Sequence, residues 1–131
     1  VWLKSGGYLI FDPTEALTVI DVNSGKSAKQ KSMKHSKIHE QINLEAAQEI
    51  AYQIRLRNIS GIILVDFINM ETKEQNKNLL SVLSSFVHKD PIQTDVIDMT
   101  PLGLVEMTRK KTENTLEEQI HLSITSADTL I

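Results

Sequence analysis

With 131 residues, 40% hydrophobic and 24% charged, the chain can bury one moderate core and is not composed like a disordered protein. No apolar run approaches the roughly 20 residues of a membrane-spanning helix, and no secretory signal opens the sequence, so no membrane partner is expected. The lack of cysteine excludes disulfides, thiolate zinc sites and thiol chemistry, and is compatible with a cytoplasmic location.

The formal charge of −3 is unevenly spread. Residues 24–41 hold Lys26, Lys29, Lys31, Lys34 and Lys37 against Glu40, a local +4 on a body that sums to −7. A basic segment on an acidic body suits contact with a polyanion; a solvated loop is the plainer alternative. The opening on Val1, directly into strand-like sequence, reads as a piece of a longer protein.

Residues 1–4 and 8–12 read as two short strands joined through Gly6-Gly7, a dipeptide suited to tight turns. Asp12-Pro13-Thr14-Glu15 forms a second turn, and a third strand over about 16–22 completes an antiparallel meander. The lysine-rich segment shows no apolar periodicity before Ile42 and is expected to be a long loop. Asn43 is placed as the N-cap of a helix from Leu44 to about Arg57, with Leu44, Ala47, Ala51 and Ile54 as its apolar stripe. Gly61 separates it from a strand over 62–66. Thr72 and Gln75 have the spacing of a capping box, opening a helix to about His88 that Asp90-Pro91 ends. Short strands near 93–98 and 103–107 follow, and Thr115-Leu116-Glu117-Glu118 could cap a last helix. The expected class is α/β: a mixed sheet with an N-terminal antiparallel meander, a βαβ crossover and flanking helices.

Two aspartates stand out. Asp21 lies within Leu17-Thr18-Val19-Ile20-Asp21-Val22-Asn23, and Asp66 ends Gly61-Ile62-Ile63-Leu64-Val65. An ionised acid among β-branched residues forfeits hydration unless a partner compensates it. A βαβ unit makes its two strands parallel, which brings both acids to one carboxyl edge of the sheet, where such sheets bind ligands. Two anions so close repel, and a shared divalent cation relieves the repulsion. Magnesium is held in this way, by one or two carboxylates with water and phosphate oxygens completing the shell. Singly, either aspartate could merely turn the chain, and Asn23 could be a turn residue or a phosphate ligand.

Other constellations are weaker. Gly25-Lys26-Ser27 lacks the phosphate-loop glycine five residues upstream, where Ile20 stands. His35, His39, His88 and His121 have no metal-ligand spacing on any expected helix. Trp2 and Phe67 are expected in the core. The basic run Met107-Thr108-Arg109-Lys110-Lys111 would face either solvent or an external anion.

The segments Val1-Trp2-Leu3, Ser5-Gly6-Gly7-Tyr8-Leu9-Ile10, Thr14-Glu15-Ala16, Ile20-Asp21-Val22-Asn23-Ser24-Gly25, Asn43-Leu44-Glu45-Ala46, Arg55-Leu56-Arg57, Gly61-Ile62-Ile63, Asp66-Phe67-Ile68 and Leu102-Gly103-Leu104-Val105-Glu106-Met107-Thr108-Arg109 closely resemble the ribonuclease E/G family, in register over roughly residues 1–120. The resemblance implies a DNase-I-like catalytic subdomain over 1–120 with a C-terminal tail over 121–131. It implies a magnesium-dependent endoribonuclease that cuts single-stranded RNA to 5′-phosphate and 3′-hydroxyl ends, with Asp21 and Asp66 as metal ligands and Asn23 in the active site.

Three departures bear on that reading. Asn69 stands where the family commonly has a second aspartate, and the family's loop after the first aspartate is replaced by the lysine-rich stretch. The cysteine pair that shares zinc between subunits is missing, so no zinc site is expected here, although homo-oligomers of the full-length protein are. The family's OB-fold and 5′-end sensor lie outside these residues, so the chain alone is expected to be feeble or inactive. Lys26, Arg109 and Lys110 are candidate contacts to the RNA backbone. The alternative is a non-catalytic RNA-binding or assembly module.

Overall fold

The computed structural model describes residues 1–25 and 35–112. The strands are β1 (Tyr8–Pro13), β2 (Leu17–Asn23), β3 (Gly61–Asp66), β4 (Thr94–Met99) and β5 (Val105–Arg109), with helices α1 (His35–Leu56) between β2 and β3 and α2 (Lys73–Val87) between β3 and β4. One mixed sheet results, in the order β1-β2-β3-β5-β4. β2 and β3 pair in parallel, and the other neighbours are antiparallel. This is the expected α/β architecture.

Strand alternation decides which face is covered. Ile20 and Val22 of β2, Ile63 and Val65 of β3, and Val105 and Met107 of β5 are buried in one cluster with Ile42, Ile50, Ile54, Leu79 and Leu83 of the helices. Their intervening neighbours, Val19 and Asp21, Leu64 and Asp66, Glu106 and Thr108, therefore point to the opposite face, because successive strand side chains alternate. No described helix covers that second face, and Ile10 and Ile62 on it are each 49% exposed.

α1 begins nine residues before the expected Leu44. Ile38, Ile42, Ala46 and Ile50 recur every four residues and are all buried, so the apolar stripe runs back through the basic segment. Residues 35–41 are thus helix, and Asn43 is a buried mid-helix residue in place of the expected cap. The helix closes as a Schellman turn: the Ile59 N–H donates to the Ile54 carbonyl at 2.9 Å and the Asn58 N–H to the Arg55 carbonyl at 3.1 Å. Asn58 takes a positive φ of 51° there.

The capping box at Thr72 and Gln75 forms as expected. The Gln75 N–H donates to Thr72 Oγ1 at 3.1 Å, and the Thr72 N–H donates to Gln75 Oε1 at 3.1 Å. The first segment is shorter than expected: residues 1–3 pair back on residues 7–9, with Trp2 opposite Tyr8. The helix expected from Thr115 lies outside the described residues.

Candidate active site

Asp21 and Asp66 are register partners on the parallel strands β2 and β3. Neighbouring strands run about 4.8 Å apart, so the two carboxylates leave the same face of the sheet one strand spacing from each other. Asp21 is half-buried and Asp66 exposed. Among the described residues the salt bridges are Arg109–Asp90 and His88–Asp95, so neither aspartate of the pair is neutralised by a cationic side chain. No cluster of three or more His, Cys, Asp or Glu side chains suited to a metal occurs among them either.

Asn23 continues the row on the same face of β2, two residues beyond Asp21 and opposite Tyr8 in register. Its Nδ2 is buried and has no hydrogen-bond partner among the described residues. A buried donor without an acceptor is uncommon and invites an incoming oxygen. The local backbone is held tightly. A Cβ on Gly7 would meet the Asn23 carbonyl oxygen at 2.8 Å and Ile42 Cγ2 at 2.9 Å, and one on Gly25 would run into the Gly6 carbonyl. The turn through Gly6-Gly7 therefore presses against the end of β2 because Gly7 and Gly25 carry no side chain.

The segment leaving Asp66 is fixed by Asn43. Its Nδ2 donates to the Ile68 carbonyl at 2.8 Å, and its Oδ1 accepts from the Ile68 N–H at 3.0 Å. A fully buried carboxamide on α1 thus ties down the chain two residues beyond Asp66. Asn43 carries the local signature of a cap, an Asn before a helical stripe, which conceals this contact with a residue 25 positions away. Asn69, standing where an aspartate is common in the resembled family, is exposed and borders a cavity of about 120 Å³ with Phe67, Asn76, Met99 and Gly103.

The basic candidates are not gathered at this edge. Arg109 pairs with Gly61 at the far end of β3, five residues from Asp66 and so about 17 Å away along the strand. Its guanidinium is 3% exposed and committed inward: Nε donates to Asp90 Oδ2 at 2.8 Å, and Nη1 to Asn58 Oδ1 and the Ile59 carbonyl, each at 3.0 Å. Burial and four internal acceptors, the fourth being Asp90 Oδ1 at 3.4 Å from Nη2, give Arg109 a structural role in place of the expected contact with an RNA backbone. Lys110 is exposed at that same distant edge, and Lys26 lies outside the described residues. A larger cavity of about 350 Å³, around Tyr52, Leu56, Pro91 and Arg109, is also at the far end. Phe67 is buried as expected, whereas Trp2 is 75% exposed.

The model of the "Ribonuclease E/G family" matches residues 1–112. The chain is 44% identical over 117 residues to Ribonuclease G of Salmonella typhimurium, covering 89% of this chain and 24% of that protein. It is 45% identical over 115 residues to Ribonuclease G of Haemophilus influenzae, covering 88% and 23%. It is 47% identical over 109 residues to Ribonuclease E of a Nostoc species, covering 83% and 16%. The chain spans about a quarter of the length of the Ribonuclease G relatives. A match that runs through both strands of the aspartate pair and nearly the whole described fold places this chain in the ribonuclease E/G family.

Proposed function

We propose that residues 1–120 act as the catalytic subdomain of a magnesium-dependent endoribonuclease, hydrolysing single-stranded RNA to 5′-phosphate and 3′-hydroxyl ends. The observation that carries the reading is the register pairing of Asp21 with Asp66 on one open face, with no cationic partner among the described residues. Two hard oxygen donors without a third acidic neighbour suit magnesium, which keeps much of its water shell, better than a metal that needs a full protein cage. Asp21 and Asp66 would hold the ion; when bound, it would acidify a water and offset charge on the phosphodiester. Asn23 Nδ2 would donate to a phosphate oxygen, which would supply the acceptor this buried group lacks. Water adds to phosphorus and the 3′ oxygen departs, taking up a proton, which accounts for the ends formed.

The basic candidates Arg109 and Lys110 lie at the far edge of the sheet and do not grip phosphate beside the pair, so the chain alone cleaves feebly. The test has two readouts. Adding magnesium to the 131-residue chain shifts the amide resonances of Asp21, Asn23 and Asp66, and the Asp21→Asn change abolishes the response. With protein in excess over RNA, slow magnesium-dependent cleavage is lost in Asp21→Asn and Asp66→Asn. Magnesium that leaves those resonances unmoved, or cleavage that survives both changes, refutes the reading. RNA binding with no cleavage under any metal would favour the non-catalytic module.

A further inference from the structure

Across the end of β1 from the aspartate pair lies the most exposed aromatic side chain among the described residues. Trp2 is 75% exposed although it sits inside a paired segment. Val1 and Leu9 exchange backbone hydrogen bonds in both directions, the Val1 amino group donating at 3.0 Å and the Leu9 N–H at 2.7 Å. Trp2 and Tyr8 therefore form the adjacent non-hydrogen-bonded pair, in which side chains on one face approach closely. Their rings lie 5.1 Å apart, tilted by 55°. Tyr8 is in turn the register partner of Asn23, so Trp2, Tyr8 and Asn23 make one row across the sheet, next to the row Ile10, Asp21 and Asp66.

The face matters as much as the row. Tyr8 alternates with the buried Leu9 and shares its side of the sheet with Ile10, Asp21 and Asn23. By strand spacing, Tyr8 lies about 8 Å from Asp21 and Trp2 about 12 Å. Both residues are thus one to two nucleotide steps from the carboxylates, on the same side of the sheet. An indole left in water beside a site for a phosphodiester has the geometry of a stacking platform, which binds any base through its π-face.

We infer that Trp2 and Tyr8 form a base-stacking platform that seats a nucleotide of single-stranded RNA next to the bond held at Asp21 and Asp66. The inference deepens the ribonucleolytic reading and rests on it for the position of the bond. The Gly6-Gly7 turn sets the platform, because its close approach to Asn23 and Ile42 fixes the Trp2–Tyr8 segment against β2.

Trp2 is the single tryptophan of the chain, so its emission reports on the platform alone. The probe is single-stranded oligouridylate or oligoadenylate, titrated without metal into the Asp21→Asn chain at low salt, against an abasic ribose-phosphate oligomer of equal length. Base-bearing RNA quenches Trp2 while the abasic oligomer leaves its emission unchanged. Trp2→Ala weakens RNA binding, read by anisotropy of labelled RNA, roughly 5- to 150-fold, and Trp2→Phe restores part of it. Circular dichroism verifies that each variant is folded. RNA that binds without quenching, equal quenching by the abasic oligomer, or no binding at all overturns the platform. So does a blue-shifted Trp2 emission, insensitive to RNA, in a longer form of the protein, which would assign the patch to a packing contact. Failure of the endonuclease reading is separate: it appears in the magnesium response and cleavage of the aspartate variants, while quenching persists.

Discussion

Replacing Asp90 by alanine should be among the most damaging single changes in this chain. The Asp90 and Arg109 side chains are 1% and 3% exposed, and Arg109 donates to both carboxylate oxygens, Nε at 2.8 Å and Nη2 at 3.4 Å. The variant leaves a buried guanidinium without its counter-charge, a defect that typically costs about 3–5 kcal/mol. Arg109 keeps Asn58 Oδ1 and the Ile59 carbonyl as acceptors, which sets the expectation near the lower end, about 3 kcal/mol. Against a total stability of about 5–15 kcal/mol this is a large share, equivalent to roughly 10 °C in Tm for a domain of this size. Urea unfolding followed by far-ultraviolet circular dichroism reads it directly. The double change Asp90→Leu with Arg109→Met removes both charges and recovers part of the loss, since an apolar pair replaces a buried ion pair while Asn58 Oδ1, the Ile59 carbonyl and the Ile92 N–H lose their partners. A loss below about 1 kcal/mol for Asp90→Ala, or a double variant no better than the single one, would refute the assignment of Arg109 as a buried clamp.

The same pair makes stability depend on acid. Burial alone would raise the Asp90 carboxyl, but the Arg109 hydrogen bond, the Ile92 N–H, the Arg109 charge and the Thr94 hydroxyl together hold it below the usual carboxylate range. A lowered folded value means the contribution is present above the unfolded pKa of about 3.9 and is lost as pH falls through the folded value. Urea midpoints should therefore drop below about pH 4, and less steeply in Asp90→Asn. Asn43→Ala should cost about 2–3 kcal/mol, because both backbone groups of Ile68 lose their partner, and hydrogen exchange should quicken at Ile68. Thr72→Ala should cost about 1 kcal/mol through the lost cap, with fraying confined to the first turn of α2. Asp66→Asn should stabilise the metal-free chain by a few tenths of a kcal/mol in low salt, by relieving repulsion from Asp21 across the strand pair; no gain would argue against a close approach of the two carboxylates.

What could be read in advance was local or followed from chain topology. β3 and α2 were legible because an apolar run starts after Gly61 and stops at Asp66, and because Thr72 and Gln75 announce a cap by spacing alone. The Asp21–Asp66 pairing was legible because a βαβ unit leaves its strands parallel, a rule that needs no side-chain detail. The start of α1 was hidden: a single buried residue, Ile38, marks its first turns amid lysines and polar residues. The roles of Asn43 and Arg109 depend on partners 25 and 19 residues away, Ile68 and Asp90, and no local pattern announces such contacts. The exposure of Trp2 depends on which face of the sheet stays uncovered. That follows from both helices packing on the same side, a tertiary fact.

Strand alternation also limits how the lineage of this chain can vary in length. One residue inserted between Leu17 and Asp21, or between Gly61 and Asp66, would rotate the acid into the apolar layer, among Ile20, Val22 and Val65. Two inserted residues would restore its side of the sheet but carry it about 7 Å past its opposite number. Substitution can be tolerated along these two strands; insertion and deletion cannot, so gaps among descendants should fall between the elements and spare the interior of β2 and β3.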